Sequence, residues 1–237
     1  MQRRFSYALT AGILGSGAPA NLSVVGVARP LLFALFGYVL GRQADELSEL
    51  SETDALTSLL NARGFAARLR SEIKRSKRYR ESLSLLFLDL DSLKEINDRY
   101  GHRAGSEALR GVAGVIRAEL RESDTGARWG GDEFTIIAPK TTKAAAVLFA
   151  DRIRTRISQH PAEWPMTASI GVATVDWNED GVDADAQTLM READAAMYHA
   201  KRRGKNTIAA VEISGIDNGR SEDHEEKRSS PDLLISC

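Results

Sequence analysis

The stretch Leu83–Leu90 is apolar except for Ser84 and Asp89, and it limits the fold more than any other part of the chain. A continuous apolar run of strand length reads as a central strand buried on both faces. A carboxylate in such a strand costs free energy unless something pairs with it. Asp89 therefore calls for a cation, and Asp91 follows two residues later. Further along stands Trp129-Gly130-Gly131-Asp132-Glu133-Phe134, where Phe134, Ile136 and Ile137 begin a second apolar run. Two glycines permit a tight turn and close backbone approach. The turn should present Asp132 and Glu133 at a strand edge, next to the end of the first strand.

The remaining pattern alternates. The helices expected are Ala62–Arg80, Ser92–Arg99 with Asp91 as cap, Ala104–Leu120, Thr142–Ser158 and Gln187–Arg203. The strands expected are Phe134–Ala138, Met166–Val175 and Thr207–Val211. This order predicts an α+β fold, with helices packed on a mostly antiparallel central sheet. The basic face of the first helix reads as solvated.

Outside this domain the composition changes. Residues 1–41 hold two apolar stretches, Phe5–Ala20 and Leu22–Gly41, with Arg29 as their one charge. The second is long enough to span a bilayer, which takes about 20 residues. The first reads as a second span or as a signal sequence ending near Ala18-Pro19-Ala20. Arg3, Arg4 and Arg42 at the flanks place the domain inside the cell. The expected location is thus the inner membrane of a bacterium with the domain cytoplasmic. It becomes cytoplasmic altogether if the stretch is a buried or interfacial helix pair instead. Residues 42–53 read as a helical linker, 54–212 as the globular domain, and 213–237 as a polar, disordered tail. Lys and Arg total 32 against 33 Asp and Glu, so no general basic field points to nucleic acid. The single cysteine, Cys237, rules out a disulfide framework and a cysteine zinc site.

Asp89 and Asp132 can meet at one sheet edge. Magnesium fits such a pair, because it takes one or two carboxylates and completes its shell with water and phosphate oxygens. Lys94, Arg128, Lys201 and Lys205 supply cations for phosphates. Acidic metal ligands ringed by bases suggest nucleotidyl transfer, in which metal ions and positioning do most of the work.

Five motifs then fall in order: Asp54-x-Leu-Thr-x-Leu-x-Asn61; Asp89-Leu-Asp91-x-x-Lys94-x-x-Asn97-Asp98-x-Tyr-Gly101-His102; Arg128-Trp-Gly-Gly-Asp-Glu-Phe134; Ser169-Ile-Gly-Val-Ala173; and Ala193-Asp194-x-Ala-x-Tyr198-x-Ala-Lys201. Together they resemble the GGDEF family of bacterial diguanylate cyclases. The resemblance implies a fold like adenylyl cyclase and polymerase palm domains. It implies a homodimer that joins two GTP molecules into cyclic di-GMP and releases pyrophosphate. Carried over by position, Asp89, Asp132 and the Leu90 carbonyl would bind Mg²⁺ or Mn²⁺. Glu133 would act at the attacking 3′-hydroxyl, as base or as second metal ligand. Asn97 would read guanine, with Leu93, His102 and position 106 around the nucleotide. Lys94, Arg128, Lys201 and Lys205 would hold phosphates, although many members carry Arg where Lys205 stands. Arg121-Glu-Ser-Asp124 has the offset of the family's RxxD inhibitory site, and Arg152 matches its second contributor. A stacked dimer of product would bind there. The plain alternative for that segment is a solvated turn of charges.

One departure matters. The family usually has Asp where this chain has Ser106. A carboxylate only accepts hydrogen bonds and favours guanine, whereas a hydroxyl donates and accepts and tolerates either purine. Members with Ser here resemble a subgroup that also makes cyclic GMP–AMP, so ATP becomes a second candidate substrate. Two further readings stay open. One is a catalytically inactive nucleotide receptor. The other is a cyclase that closes a single nucleotide. Ser58 and Ala62 also depart from the family pattern, without a consequence we can name.

Overall fold

The computed structural model describes residues 35, 36, 38, 51–162, 164–178 and 181–214. The expectations for the apolar anchor, nearly all of the linker and the tail lie outside these residues. Among the described residues, no helix is long and apolar enough to cross a membrane.

A compact unit begins at Glu52. Its elements run α1 (Ala62–Tyr79), β1 (Leu83–Asp91), α2 (Leu93–Tyr100), α3 (His102–Glu119), β2 (Thr125–Gly130), β3 (Glu133–Pro139), α4 (Lys143–Ser158), β4 (Thr167–Val175), α5 (Ala186–Arg202) and β5 (Ile208–Ile213). The expected elements are all present, with ends shifted by one or two residues. The five strands lie in the order β2-β3-β1-β4-β5. β1 is central and every one of its residues is buried. It pairs antiparallel with β3 and β4, and β2 pairs antiparallel with β3. β5 departs from the antiparallel expectation and runs parallel to β4. The reason is α5, which crosses back over the sheet between them and returns the chain in the same direction.

Side-chain alternation along β1 divides the core. Leu86, Leu88 and Leu90 pack with Leu109, Val112, Ile116, Phe149 and Ile153 of α3 and α4. Leu83, Leu85 and Phe87 pack with Phe65 and Leu69 of α1 and with Leu189, Ala193 and Met197 of α5. By the same alternation, Asp89 and Asp91 fall on the α1/α5 face. The period of two thus decides which helices can reach the acids.

Asp91 does not cap α2. It belongs to β1 and accepts hydrogen bonds from Thr167 Oγ1 (2.8 Å), Ser169 Oγ (2.9 Å) and the Asn206 N–H (3.0 Å). A buried carboxylate with three donors is stable without a counter-ion. It fastens β4 and the turn after α5 to the end of β1. Ser92, in the left-handed region at φ 66°, precedes α2 and makes no side-chain cap bond.

Candidate active site

Two strand ends and one helix converge at the β1/β3 edge. Asp89 lies opposite Glu133 in the β1/β3 register and opposite Ser169 in the β1/β4 register. The β2–β3 turn is formed by Gly131, at φ 47°, and Asp132. A residue with a Cβ is strained at that φ, so this position favours glycine. The Leu90 N–H donates to the Asp132 carbonyl at 3.0 Å, which pins the turn beside the end of β1. The β2/β3 register slips by one residue between Arg128 and Gly130. Such a bulge re-aims the strand. Trp129 sits at the slip, with its ring edge-on to Phe65 at 6.0 Å and to Phe87 at 6.4 Å.

Arg128 braces the same turn. Its Nη2 and Nε donate to the Gly131 carbonyl at 2.7 and 3.1 Å, and its Nη1 pairs with Asp54 Oδ2 at 3.3 Å. Asp54 also accepts from the Thr57 N–H and hydroxyl. The first motif and the hairpin motif are therefore one contact in three dimensions. The guanidinium assigned by resemblance to phosphate is here engaged in holding the turn.

The charge balance at the edge is unusual. Asp89, with a side chain only 7% exposed, pairs with Lys201 Nζ at 2.7 Å. Burial pushes the Asp89 carboxyl above its ordinary range; Lys201 opposes this, and Asp132 and Asp91 add to it. Glu133 is also raised, by burial first and then by Asp89, Asp132 and Asp194, against a smaller pull from Lys201. Asp194 was legible only as part of a motif; α5 brings its charge to Glu133. Four carboxylates (Asp89, Asp132, Glu133 and Asp194) and one lysine leave an excess of negative charge that a divalent ion would relieve. Among the described residues, no group of three or more His, Cys, Asp and Glu side chains encloses a cation by itself. The oxygen donors of Asp89, Asp132 and Glu133 would suit magnesium or manganese, which take one or two carboxylates and complete their shell with water and phosphate.

The second half of the site lies on α2 and α3. Leu93 is buried, Asn97 and Ser106 are half-buried, and Lys94 and His102 are exposed. Asn97 rests on Gly105: a Cβ there would lie 2.0 Å from Asn97 Oδ1. Gly105→Ala should therefore displace Asn97 and raise KM for the nucleotide about tenfold, equivalent to ~1.4 kcal/mol. The same change favours the helix by its propensity alone. Melting temperature and KM should thus both rise, a gain in stability with a loss of affinity, and an unchanged KM would show that Asn97 does not touch the base. Ser106 Oγ donates to the His102 carbonyl at 3.0 Å. A hydroxyl rotates, so this bond can be exchanged for one to a ligand, and Ser106 keeps both donor and acceptor capacity. Lys205 lies in the turn after α5 at φ 63°, next to the Asn206 N–H that Asp91 holds.

Of the inhibitory-site candidates, Arg121 and Asp124 lie in the turn between α3 and β2, and Arg152 lies on α4. The Arg121 N–H donates to Asp124 Oδ2 at 3.0 Å, and the Asp124 N–H donates to the Arg121 carbonyl at 3.0 Å, which closes the turn between α3 and β2. Arg152, on α4, is bonded to Glu119 at the end of α3.

Comparison with known proteins gives a consistent result. The sequence model described as "Diguanylate cyclase, GGDEF domain" matches residues 51–207. The chain is 36% identical over 222 residues to the bifunctional diguanylate cyclase/cyclic di-GMP phosphodiesterase MucR of Pseudomonas aeruginosa, covering 91% of this chain and 30% of MucR. It is 34% identical over 180 residues to the diguanylate cyclase DgcS of Shewanella oneidensis, covering 75% of this chain and 56% of DgcS. It thus spans about a third to just over half the length of these relatives. Among solved structures, the GGDEF domain of DgcB from Caulobacter crescentus in complex with c-di-GMP superposes with a TM-score of 0.62 at 30% identity, covering 68% of this chain and 95% of that one. On its motifs, its sheet and the match over residues 51–207, the chain belongs to the diguanylate cyclase GGDEF-domain family.

Proposed function

We propose that the domain condenses two molecules of GTP into cyclic di-GMP and releases two pyrophosphates, using Mg²⁺ and a homodimer. The observation that carries this reading is the facing of Asp89 and Glu133 across β1/β3, with Asp132 pinned beside them and Lys201 in reach. A magnesium ion bound by Asp89, Asp132 and the Leu90 carbonyl would neutralise phosphate charge and polarise the reacting phosphorus. Glu133, kept basic by its acidic neighbours, is suited to take the proton of the 3′-hydroxyl. Lys201 would turn from Asp89 to phosphate, and Lys94 and Lys205 would add charge. Arg128 contributes by holding the turn that carries Asp132 and Glu133. One nucleotide per subunit leaves each hydroxyl facing the other subunit's phosphate, so the dimer follows from the reaction. The intact acids favour an enzyme over an inactive receptor. The Arg121–Asp124 turn supports a product-binding site that restrains the enzyme. Attachment to the bacterial inner membrane through residues 1–41 belongs to the same proposal and rests on the sequence pattern alone.

A second reading concerns the base. The Ser106 hydroxyl, once turned from the His102 carbonyl, can accept from guanine N1–H and N2–H or from adenine N6–H, and can donate to adenine N1. The charge-assisted contact of an Asp is missing. We therefore include cyclic GMP–AMP, made from GTP and ATP, among the products.

The test is product identification by mass spectrometry after incubation of the protein with Mg²⁺ and GTP, ATP or both. GTP alone should give cyclic di-GMP. Failure to give any cyclic dinucleotide would remove the cyclase reading, and a 3′,5′-cyclic mononucleotide would replace it. With both nucleotides the mixed product should appear, and Ser106→Asp should suppress it about tenfold or more. Cyclic di-GMP alone, even with ATP in excess, would remove the second reading and leave the first.

A further inference from the structure

The turn after α5 is strained and is held from two sides. Gly204, Lys205 and Asn206 all lie at positive φ, at 117°, 63° and 44°. Among the described residues, Lys205 and Asn206 are the only adjacent pair of left-handed residues other than glycine. That conformation costs an L-residue free energy and persists only where the surroundings enforce it. The turn is exposed, so packing does not enforce it. Hydrogen bonds do. The N–H groups of Gly204 and Lys205 both donate to the Lys201 carbonyl at 3.3 Å. The Asn206 N–H donates to Asp91 Oδ2 at 3.0 Å. From the other side, Arg154 of α4 donates through Nη1 to Asn206 Oδ1 at 3.0 Å. Its Nε and Nη2 are held in turn by Asp151 Oδ1, at 3.1 and 2.8 Å.

Asp91 is 3% exposed and is itself fixed by Thr167 and Ser169. It stands two residues past Asp89 on the same face of β1, about 7 Å along the strand. Its bond to Asn206 therefore fastens the Lys205 backbone beside the acidic edge, four residues after the Lys201 that meets Asp89. A lysine meets its ligand as a point charge on a flexible stem, so its reach is set by where its backbone is held. We propose that Asp91 and Arg154 are positioning residues for the phosphate chain of the nucleotide, acting through the strained turn that presents Lys205. The inference rests on the reading above in which Lys205 meets phosphate. In this role Asp91 touches neither metal nor nucleotide.

The experiment is titration calorimetry of the full chain, in Mg²⁺, with two ligands. One is 3′-deoxy-GTP, which carries the triphosphate and lacks the attacking hydroxyl. The other is guanosine, which has the base and no phosphate. Lys205→Met should raise Kd for 3′-deoxy-GTP about tenfold, as for loss of one charge-assisted contact, and leave guanosine unchanged. Arg154→Leu and Asp91→Asn should each weaken 3′-deoxy-GTP about threefold to tenfold, again without effect on guanosine. In the Lys205→Met background each should add little, because both act through the same lysine. Arg154→Lys keeps a donor for Asn206 Oδ1 and should retain most of the affinity. The Arg154 side chain is 23% exposed, so Arg154→Leu carries the test if Asp91→Asn does not fold. Losses from Arg154→Leu that are as large in the Lys205→Met background, or that extend to guanosine, would show a general structural role and overturn the inference. If Lys205→Met weakens 3′-deoxy-GTP and Arg154→Leu does not, the inference falls and Lys205 keeps its phosphate. If Lys205→Met binds 3′-deoxy-GTP like wild type, the phosphate role of Lys205 falls and the inference with it.

Discussion

Glu133→Gln should lower turnover by about 10²–10⁴-fold, the range for losing a positioned general base, while GTP still binds. The amide keeps the shape and cannot take a proton. In the proposed reading Asn97 on α2 would meet the base and lysines the phosphates, so neither would depend on the residue 133 carboxylate. The same variant should be more stable. Burial and the neighbouring charges of Asp89, Asp132 and Asp194 raise the Glu133 carboxyl above its value in the unfolded chain. Between the two values the folded chain holds more proton than the unfolded chain. Stability therefore falls as pH rises through that window, and above it the ionised carboxylate carries its full cost. Glu133→Gln should melt at a higher temperature than wild type at neutral pH without magnesium. The gap should close as pH drops below the unfolded value, and shrink when magnesium is added. Differential scanning calorimetry across pH reads this directly. A variant that melts lower at neutral pH would contradict the electrostatics of the site. One that retains turnover would take the proton-transfer role from Glu133.

Gly171→Ala should destabilise the fold by about 3 kcal/mol or more, the upper end for overpacking. A Cβ at this position would sit 2.0 Å from the Ala193 carbonyl oxygen, 2.2 Å from Met197 N and 2.9 Å from Met197 Cα. All three are backbone atoms of α5, so no side chain can rotate out of the way. The helix as a whole must withdraw from β4. Lys201 stands one turn beyond Met197 on that helix, and its bond to Asp89 would lengthen with it. Urea unfolding would measure the first effect, and the activity of the remaining folded protein the second. A stability change within about 0.5 kcal/mol would mean that α5 yields without cost, and would sink the account of Gly171 as the spacer that brings Lys201 to the acids.

The elements were legible because their periodicity is local. β1 announces itself by an apolar run, and α3 by Leu109, Val112 and Ile116 at helical spacing. The acids were legible because a carboxylate at the end of a buried strand, and a pair after two glycines, have few structural uses. What was not legible depends on partners far apart in the chain. Asp91 looked like a helix cap because a cap needs only the next few residues. Its donors come from β4 and from the turn after α5, 76 to 115 residues away. Arg128 looked free to meet phosphate, yet Asp54, 74 residues earlier, and the Gly131 carbonyl hold it. Glu119 carried no signal at all, since its partners Arg152 and Arg156 lie on another helix.

Sequence by itself determined the order of strands and helices, the acids and bases of the site, and the family. These follow from side-chain period, turn chemistry and motif spacing, each a property of short stretches. Tertiary structure decided which acids share one face, which cation neutralises them, and which charged residues brace the turn. The alternation along β1 puts Asp89 and Asp91 on one side, but their different fates come from what packs there. Asp91 meets hydroxyls and a backbone N–H and is satisfied, whereas Asp89 meets Lys201 and other carboxylates, and burial together with those carboxylates raises its pKa.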